Sequence, residues 1–165
     1  MTVIEPVPSE HDSEELDRLL WETLWKPIGL PRNIRESFAL EGKTRSLVAK
    51  NESAIVGGLV AVWTSVREVE IRHIAVVAGS QKDGVGAELV NSLLETVAVE
   101  GCSRVHTIAR NTSTGFFLKM GFTKAAGTPP EHPDFRKHGI LFELMERTTE
   151  PSGGANRREK APASG

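Results

Sequence analysis

The chain has 165 residues, enough for one domain with a sizeable core and too few for two comfortable ones. Lys and Arg number 20 against 22 Asp and Glu, a formal net charge of -2, so no basic field steers the protein onto nucleic acid and none is expected as a partner. The single cysteine, Cys102, excludes an intrachain disulfide and a cysteine-rich metal site.

The opening MTVIEPVPSEHDSEE has no apolar stretch after a basic start and does not read as a secretory signal. The longest apolar run, Ala54 to Trp63, is too short and glycine-rich to span a bilayer. The expectation is a cytoplasmic protein without a membrane partner.

In chain order, the alternation of Thr2 to Val7 predicts an edge strand. Ser13 offers an N-cap for a helix from Glu14 to Trp25, with Leu16, Leu19, Leu20 and Leu24 on one side and Pro27, Gly29 and Pro31 ending it. A short helix is expected over Asn33 to Leu40. Arg45 to Lys50 and Ser53 to Ser65 read as a hairpin, and Val69 to Val77 as a third strand of the same meander. The period then changes: Val85, Leu89, Leu93, Leu94 and Val97 follow helical spacing, and Gly101 closes the helix. Val105 to Ala109 reads as a strand, Ser113 to Met120 as helical, Gly127 to His138 as a loop, and Ile140 to Met145 as a last strand.

This order predicts an α/β (α+β) fold, a mixed central sheet with helices on both faces. Residues 1–147 make up the domain. The stretch 148–165 has no large apolar residue and is expected to be a disordered tail.

A strand that runs into a glycine-rich loop and then a helix presents unpartnered backbone N–H groups to one spot, where an anion fits. Gly84 and Gly86 remove side chains from that spot, and Lys82 adds a positive charge. The sequence has no GxxxxGK[ST], and its GxG lacks the third glycine and following acid of a dinucleotide fold.

The strand IAV followed by QKDGVGA, together with GFFLKMGF from Gly115 to Phe122, resembles the two ordered motifs of the GNAT superfamily of N-acetyltransferases. The motifs cover roughly Val69 to Phe122, and the element pattern agrees with that family from Thr2 to Arg147. The resemblance implies an acetyl-coenzyme A (acetyl-CoA) dependent N-acetyltransferase. Ile74, Ala75 and Val76 would pair through their backbones with the pantetheine arm, and Gln81, Lys82, Asp83, Gly84, Val85, Gly86 and Ala87 would hold the pyrophosphate. Asn111 stands where members of the family often place a polar contact to the coenzyme, and it also suits a helix N-cap. Phe117 stands where many members carry a tyrosine acid. The chain has no tyrosine at all, which excludes a tyrosine-dependent mechanism. Asp83 departs from the glycine or basic residue common at its position, and a carboxylate there repels pyrophosphate unless it points to solvent.

The segment VEIRHIAV resembles the strand that carries the catalytic glutamate in histone-acetylating members of the family, which makes Glu70 the expected general base. A solvated strand acid paired with Arg72 is the structural alternative. His73 is the other candidate base, though strand parity puts it on the opposite face unless a bulge intervenes. Cys102, His106 and Thr114 are conceivable proton donors. Trp21, Trp25 and the run from Glu131 to His138 are the candidates for lining an acceptor channel, and the spacing of that run does not match a zinc site. The expected acceptor is an amine of a small molecule or peptide. A coenzyme-binding regulatory domain with little turnover is the competing reading, and the oligomeric state, a homodimer included, stays open.

Overall fold

A computed structural model of the chain describes residues 2–7 and 9–149. Seven strands form one sheet in the order β1-β2-β3-β4-β5-β7-β6. They are β1 (Thr2–Pro6), β2 (Thr44–Asn51), β3 (Ala54–Trp63), β4 (Glu68–Val76), β5 (Arg104–Arg110), β6 (Thr123–Lys124) and β7 (Phe142–Thr148). Among the described residues only β4 and β5 pair in parallel, across the crossover that carries helix α2 (Val85–Val99). The mixed sheet expected from the sequence is present.

Alternation along the strands divides the core between the two faces. Leu47, Leu59 and Ile71 pack with Val85, Leu89 and Leu93 of α2, while Val48, Val60 and Ala75 pack with Leu16 and Leu20 of helix α1 (Glu10–Leu20). The helical spacing read in α2 is the buried stripe itself: Val85, Leu89, Leu93 and Val97 are all buried.

α1 begins earlier than Ser13 would place it. Ser9, in extended conformation, accepts the Asp12 N–H on its hydroxyl at 3.1 Å, and the Ser13 N–H already bonds to the Ser9 carbonyl. Ser13 therefore lies within the first turn. The helix continues as a π turn over Trp21–Trp25, a departure from α geometry common at functional sites. The expected helix from Asn33 to Leu40 is a 3₁₀ turn over Ile34–Phe38. The short helix α3 (Thr114–Lys119) matches the helical stretch expected there, whereas the Pro-rich loop contains a further turn of helix, α4 (Pro133–Arg136).

β7 runs to Thr148, and the Thr149 N–H donates to the Ser103 carbonyl at 2.9 Å, so the fold extends slightly past residue 147. The rest of the expected tail, 150–165, lies outside the described residues. Among the described residues no helix is long and apolar enough to cross a membrane.

α1 approaches the sheet closely at Gly58, where a Cβ would stand 2.1 Å from Leu16 Cδ1. Leu16 is only 1% exposed and has little room to withdraw. Gly58→Ala is expected to cost about 1–3 kcal/mol in urea unfolding, from overpacking. The cost should shrink in a Leu16→Ala background, and full additivity would show that the two positions do not meet.

Candidate active site

β4 and β5 are paired only from Glu68 with Arg104 to Ile71 with Thr107. The Thr107 hydroxyl donates to the Ile71 carbonyl at 2.9 Å at the end of this ladder. Beyond it β4 stays with β3 and β5 stays with β7, so facing strand edges diverge without pairing to each other. A cavity of about 380 Å³ opens between them, lined on β4 by Ile71, Arg72, His73 and Ile74 and on β5 by Thr107 to Arg110. An unpaired strand edge is a template for an extended, amide-bearing chain.

A β-bulge sits at the same place. Val60 pairs with His73 while its neighbour Ala61 pairs with Ile71, leaving Arg72 as an extra residue on β4. The bulge reverses the side-chain parity of the residues beyond it. Ile71 and Ile74 both pack toward α2, and His73 joins Glu70 on the α1 face, where its ring meets Trp25 edge-on at 5.0 Å. This is the bulge on which the sequence reading of His73 was conditional, and with it His73 shares the face of Glu70.

Glu70 is 7% exposed. Its Oε2 accepts from Arg72 Nη1 at 2.6 Å, and its Oε1 lies 3.9 Å from Nδ1 of His106, its register partner on β5. His106 Nε2 lies 3.1 Å from the Thr64 hydroxyl. Glu70 is not among the residues lining the cavity, whereas Arg72, which holds it, is.

The acceptor side of the cavity comes from distant segments. Leu24 and Trp25 arrive from the π turn, Phe38 from the 3₁₀ turn, His132 and Phe135 from around α4, and Phe142 from β7. Trp25 and the Glu131 to His138 run were expected here. Trp21 does not reach the cavity, because its indole N–H is spent on the Leu30 carbonyl at 3.0 Å. Phe38, Arg110 and Phe142 were not anticipated. Phe117 lines the cavity and is 2% exposed, between Phe116 and Phe122, so its wall is a hydrocarbon ring with no proton to give.

At the far end of β4 the chain makes a 3₁₀ turn, Ala78–Asp83, and enters α2 through Gly84, whose φ of 78° is a left-handed conformation. Among the described residues no side chain caps α2, so the first-turn N–H groups of Gly84 to Ala87 stay available to an anion. Lys82 and Asp83 are exposed beside them. The open β4 edge and this uncapped helix start fit the pantetheine and pyrophosphate of acetyl-CoA.

Four expected contact residues have side chains with other duties. Gln81 Nε2 donates to the Val76 carbonyl at 3.1 Å. The Val85 side chain and that of Ala75 are buried in the core, leaving only their backbones to serve. Asn111 Nδ2 donates to the Gly139 carbonyl and its Oδ1 accepts the Leu141 N–H, so this side chain ties the end of β5 to the start of β7. It caps no helix; Ser113 is the N-cap of α3. Among the conceivable proton donors, Cys102 is fully buried away from the cavity with its thiol pushed up by burial, and the Thr114 hydroxyl donates to the Asn111 carbonyl.

Burial, reinforced by Arg35, Arg72 and Arg110, holds His73 down from 6.5 to about 3. As the pH falls below 6.5 the unfolded chain takes up a proton that the folded chain refuses. Folding stability should therefore drop progressively from about pH 6.5 toward pH 3, by at most about 1.4 kcal/mol per pH unit from this residue. His73→Gln is expected to remove that share, on the order of 2 kcal/mol between pH 6.5 and 5. Denaturation curves that fall in parallel for both proteins would show that His73 is not held neutral.

Comparison with known proteins agrees with this geometry. A family model described as an acetyltransferase (GNAT) domain matches residues 7–149. The rice (Oryza sativa subsp. japonica) histone acetyltransferase GCN5 is 29% identical over 97 residues, 58% of this chain, and the match spans 19% of that protein's length. The crystal structure of Tetrahymena GCN5 superposes with a TM-score of 0.71 at 20% identity, covering 91% of this chain and 98% of that one. Escherichia coli ElaA gives 0.73 at 18% identity, with 89% and 99% covered. An aminoglycoside 6'-N-acetyltransferase complexed with coenzyme A gives 0.72 at 16% identity, with 91% and 98% covered. With the splayed strands, the uncapped helix start and the family match in agreement, the chain belongs to the GNAT acetyltransferase family.

Proposed function

We propose that this protein acetylates a primary amine of a small molecule or peptide inside the cavity between β4 and β5, with Glu70 as the proton acceptor. The observation that carries the reading is the unpaired edge of β4 beyond Ile71, beside a cavity whose other walls come from the π turn, α4 and β7. Bound along Arg72 to Val76 with its pyrophosphate at the amides of Gly84 to Ala87, acetyl-CoA supplies a thioester carbonyl carbon for the amine to attack.

The chain's own part is proton management and positioning. An ordinary alkylammonium titrates near ~10.4, so a group must take its proton before the nitrogen can attack. His73 lines the cavity but binds a proton only near pH 3, which makes it too weak a base at neutral pH. Glu70 remains. Its carboxylate stands beside the cavity wall rather than in it, so the proton reaches it through water. His106 is also held below its usual value, mainly by burial, and its Nδ1 at 3.9 Å from Glu70 is too far for direct proton transfer, so Glu70 exchanges its proton with water. Phe117 cannot protonate the departing thiolate, whose proton comes from solvent or from the amine.

One observation favours the alternative of a coenzyme-binding domain with little turnover: the Glu70 carboxylate is already engaged by Arg72 at 2.6 Å. Glu70→Gln separates the two readings. It keeps shape and hydrogen-bonding capacity, so kcat should fall by about 10² or more at neutral pH, recover in part at high pH, and leave the Kd for acetyl-CoA unchanged. An unaltered kcat across the pH range would remove Glu70 from the mechanism. Undetectable thioester consumption by the wild-type protein over a broad amine panel would favour the regulatory reading.

A further inference from the structure

The charged groups around the cavity are unevenly compensated. Three charged side chains line it, Arg72, Arg110 and Glu131. Glu131 is largely exposed and paired with Arg136 at 2.5 Å, so its charge is turned outward and spent. Arg72 is neutralised by Glu70 and donates a second bond to the Phe38 carbonyl at 2.6 Å. Its Nε is the one buried side-chain polar atom without a partner among the described residues.

Arg110 differs from both. It ends β5 on the α1 face, donates from Nη2 to the Leu24 carbonyl at 2.8 Å and lies over the Phe135 ring at 5.2 Å. No carboxylate among the described residues pairs with it, and its remaining N–H donors have no partner there either. Burial works against its charge. A guanidinium held by one carbonyl and one aromatic face, with free donors at a cavity, is built to receive a planar anion.

We propose that the acceptor amine carries a carboxylate and that Arg110 binds it, with Arg72 on the facing strand as the second donor. This deepens the acetyltransferase reading and rests on it. The pyrophosphate is not a rival occupant of Arg110, since α2 packs on one face of the sheet while Arg110 sits with Leu24 and Phe135 on the other, the α1 face. A purely cationic polyamine is disfavoured, because it would bring more positive charge to an uncompensated arginine.

Release of free coenzyme A thiol from acetyl-CoA by the full chain tests this on matched pairs: α-amino acids with their carboxamides, dipeptides with free or amidated C-termini, and simple alkylamines. The free acid of a pair should be preferred by about 50-fold or more in kcat/KM, because a site built for polar contacts rejects the analogue lacking them. Arg110→Gln should raise the acceptor KM by about tenfold or more and leave the acetyl-CoA KM within about twofold, with partial rescue by Arg110→Lys. Equal use of acids and carboxamides, turnover confined to amines without a carboxylate, or an unchanged acceptor KM in a folded Arg110→Gln protein would each overturn the proposal while the acetyltransferase reading stands. The wild-type comparison decides even if the variants do not fold. Absence of thiol release with every amine would remove both.

Discussion

The end of hydrogen bonding between β4 and β5 is the constraint on which the rest of the molecule depends. Each strand keeps its outer neighbour, β3 or β7, to its C-terminal end, so each follows a different partner once the short parallel ladder stops. The bulge at Arg72 comes directly after Ile71, the last paired residue, and a bulge bends its strand and raises its twist. One extra residue thereby separates the strands, leaves one edge of β4 open, and turns His73 toward the α1 face. The cavity is the space that results, and the helices and loops around it serve as walls.

Those walls are apolar on most sides and cationic where the acceptor would stand. Trp25, Phe38 and Phe135 pack tilted or edge-on about His73 and His132 with ring centroids 4.9 to 6.4 Å apart, a rigid arrangement with few rotamers to lose on binding. Into this setting the two strands bring Arg72 and Arg110. Burial is what chiefly keeps His73 neutral, and the arginines that reinforce it, Arg35, Arg72 and Arg110, would draw an anionic group. Glu70 balances Arg72, and among the described residues no carboxylate balances Arg110. The π turn matters here too, since it brings the Leu24 carbonyl to Arg110.

Much of the fold was legible because its elements carry strong periods. The stripe of α2 and the apolar strands β2 to β5 are where the residue pattern put them, and the glycine loop lies between β4 and α2 as its composition required. The features that escaped reading have local causes. Two serines four residues apart both suit a helix start, and only the extended backbone at Ser9 distinguishes them. The helical turn α4 is too short to show a period, and β6 has two residues. The bulge leaves no mark in VEIRHIAV, an alternating strand by inspection, so the face of His73 could not be derived. Arg110 had a usable signal: in RVHTIAR parity places it on the face of Arg104 and His106. Its isolation from any acid depends on segments up to 86 residues away, which no local pattern records. Asn111 was assigned to the coenzyme by resemblance, but here both ends of its amide are bonded to the backbone before β7.

On this geometry the coenzyme would lie along the open edge of β4 and end at the start of α2. Backbone hydrogen exchange with and without acetyl-CoA tests it most directly, since both contacts are made by main-chain groups that exchange freely when unpaired. Exchange should slow in residues 72–76 and 84–87 on adding acetyl-CoA, while the β1–β2 pair, on the far edge of the sheet, stays unchanged. Protection absent from both segments, or appearing instead around 119–123 at the separate cleft lined by Lys119, Gly121 and Glu146, would contradict it.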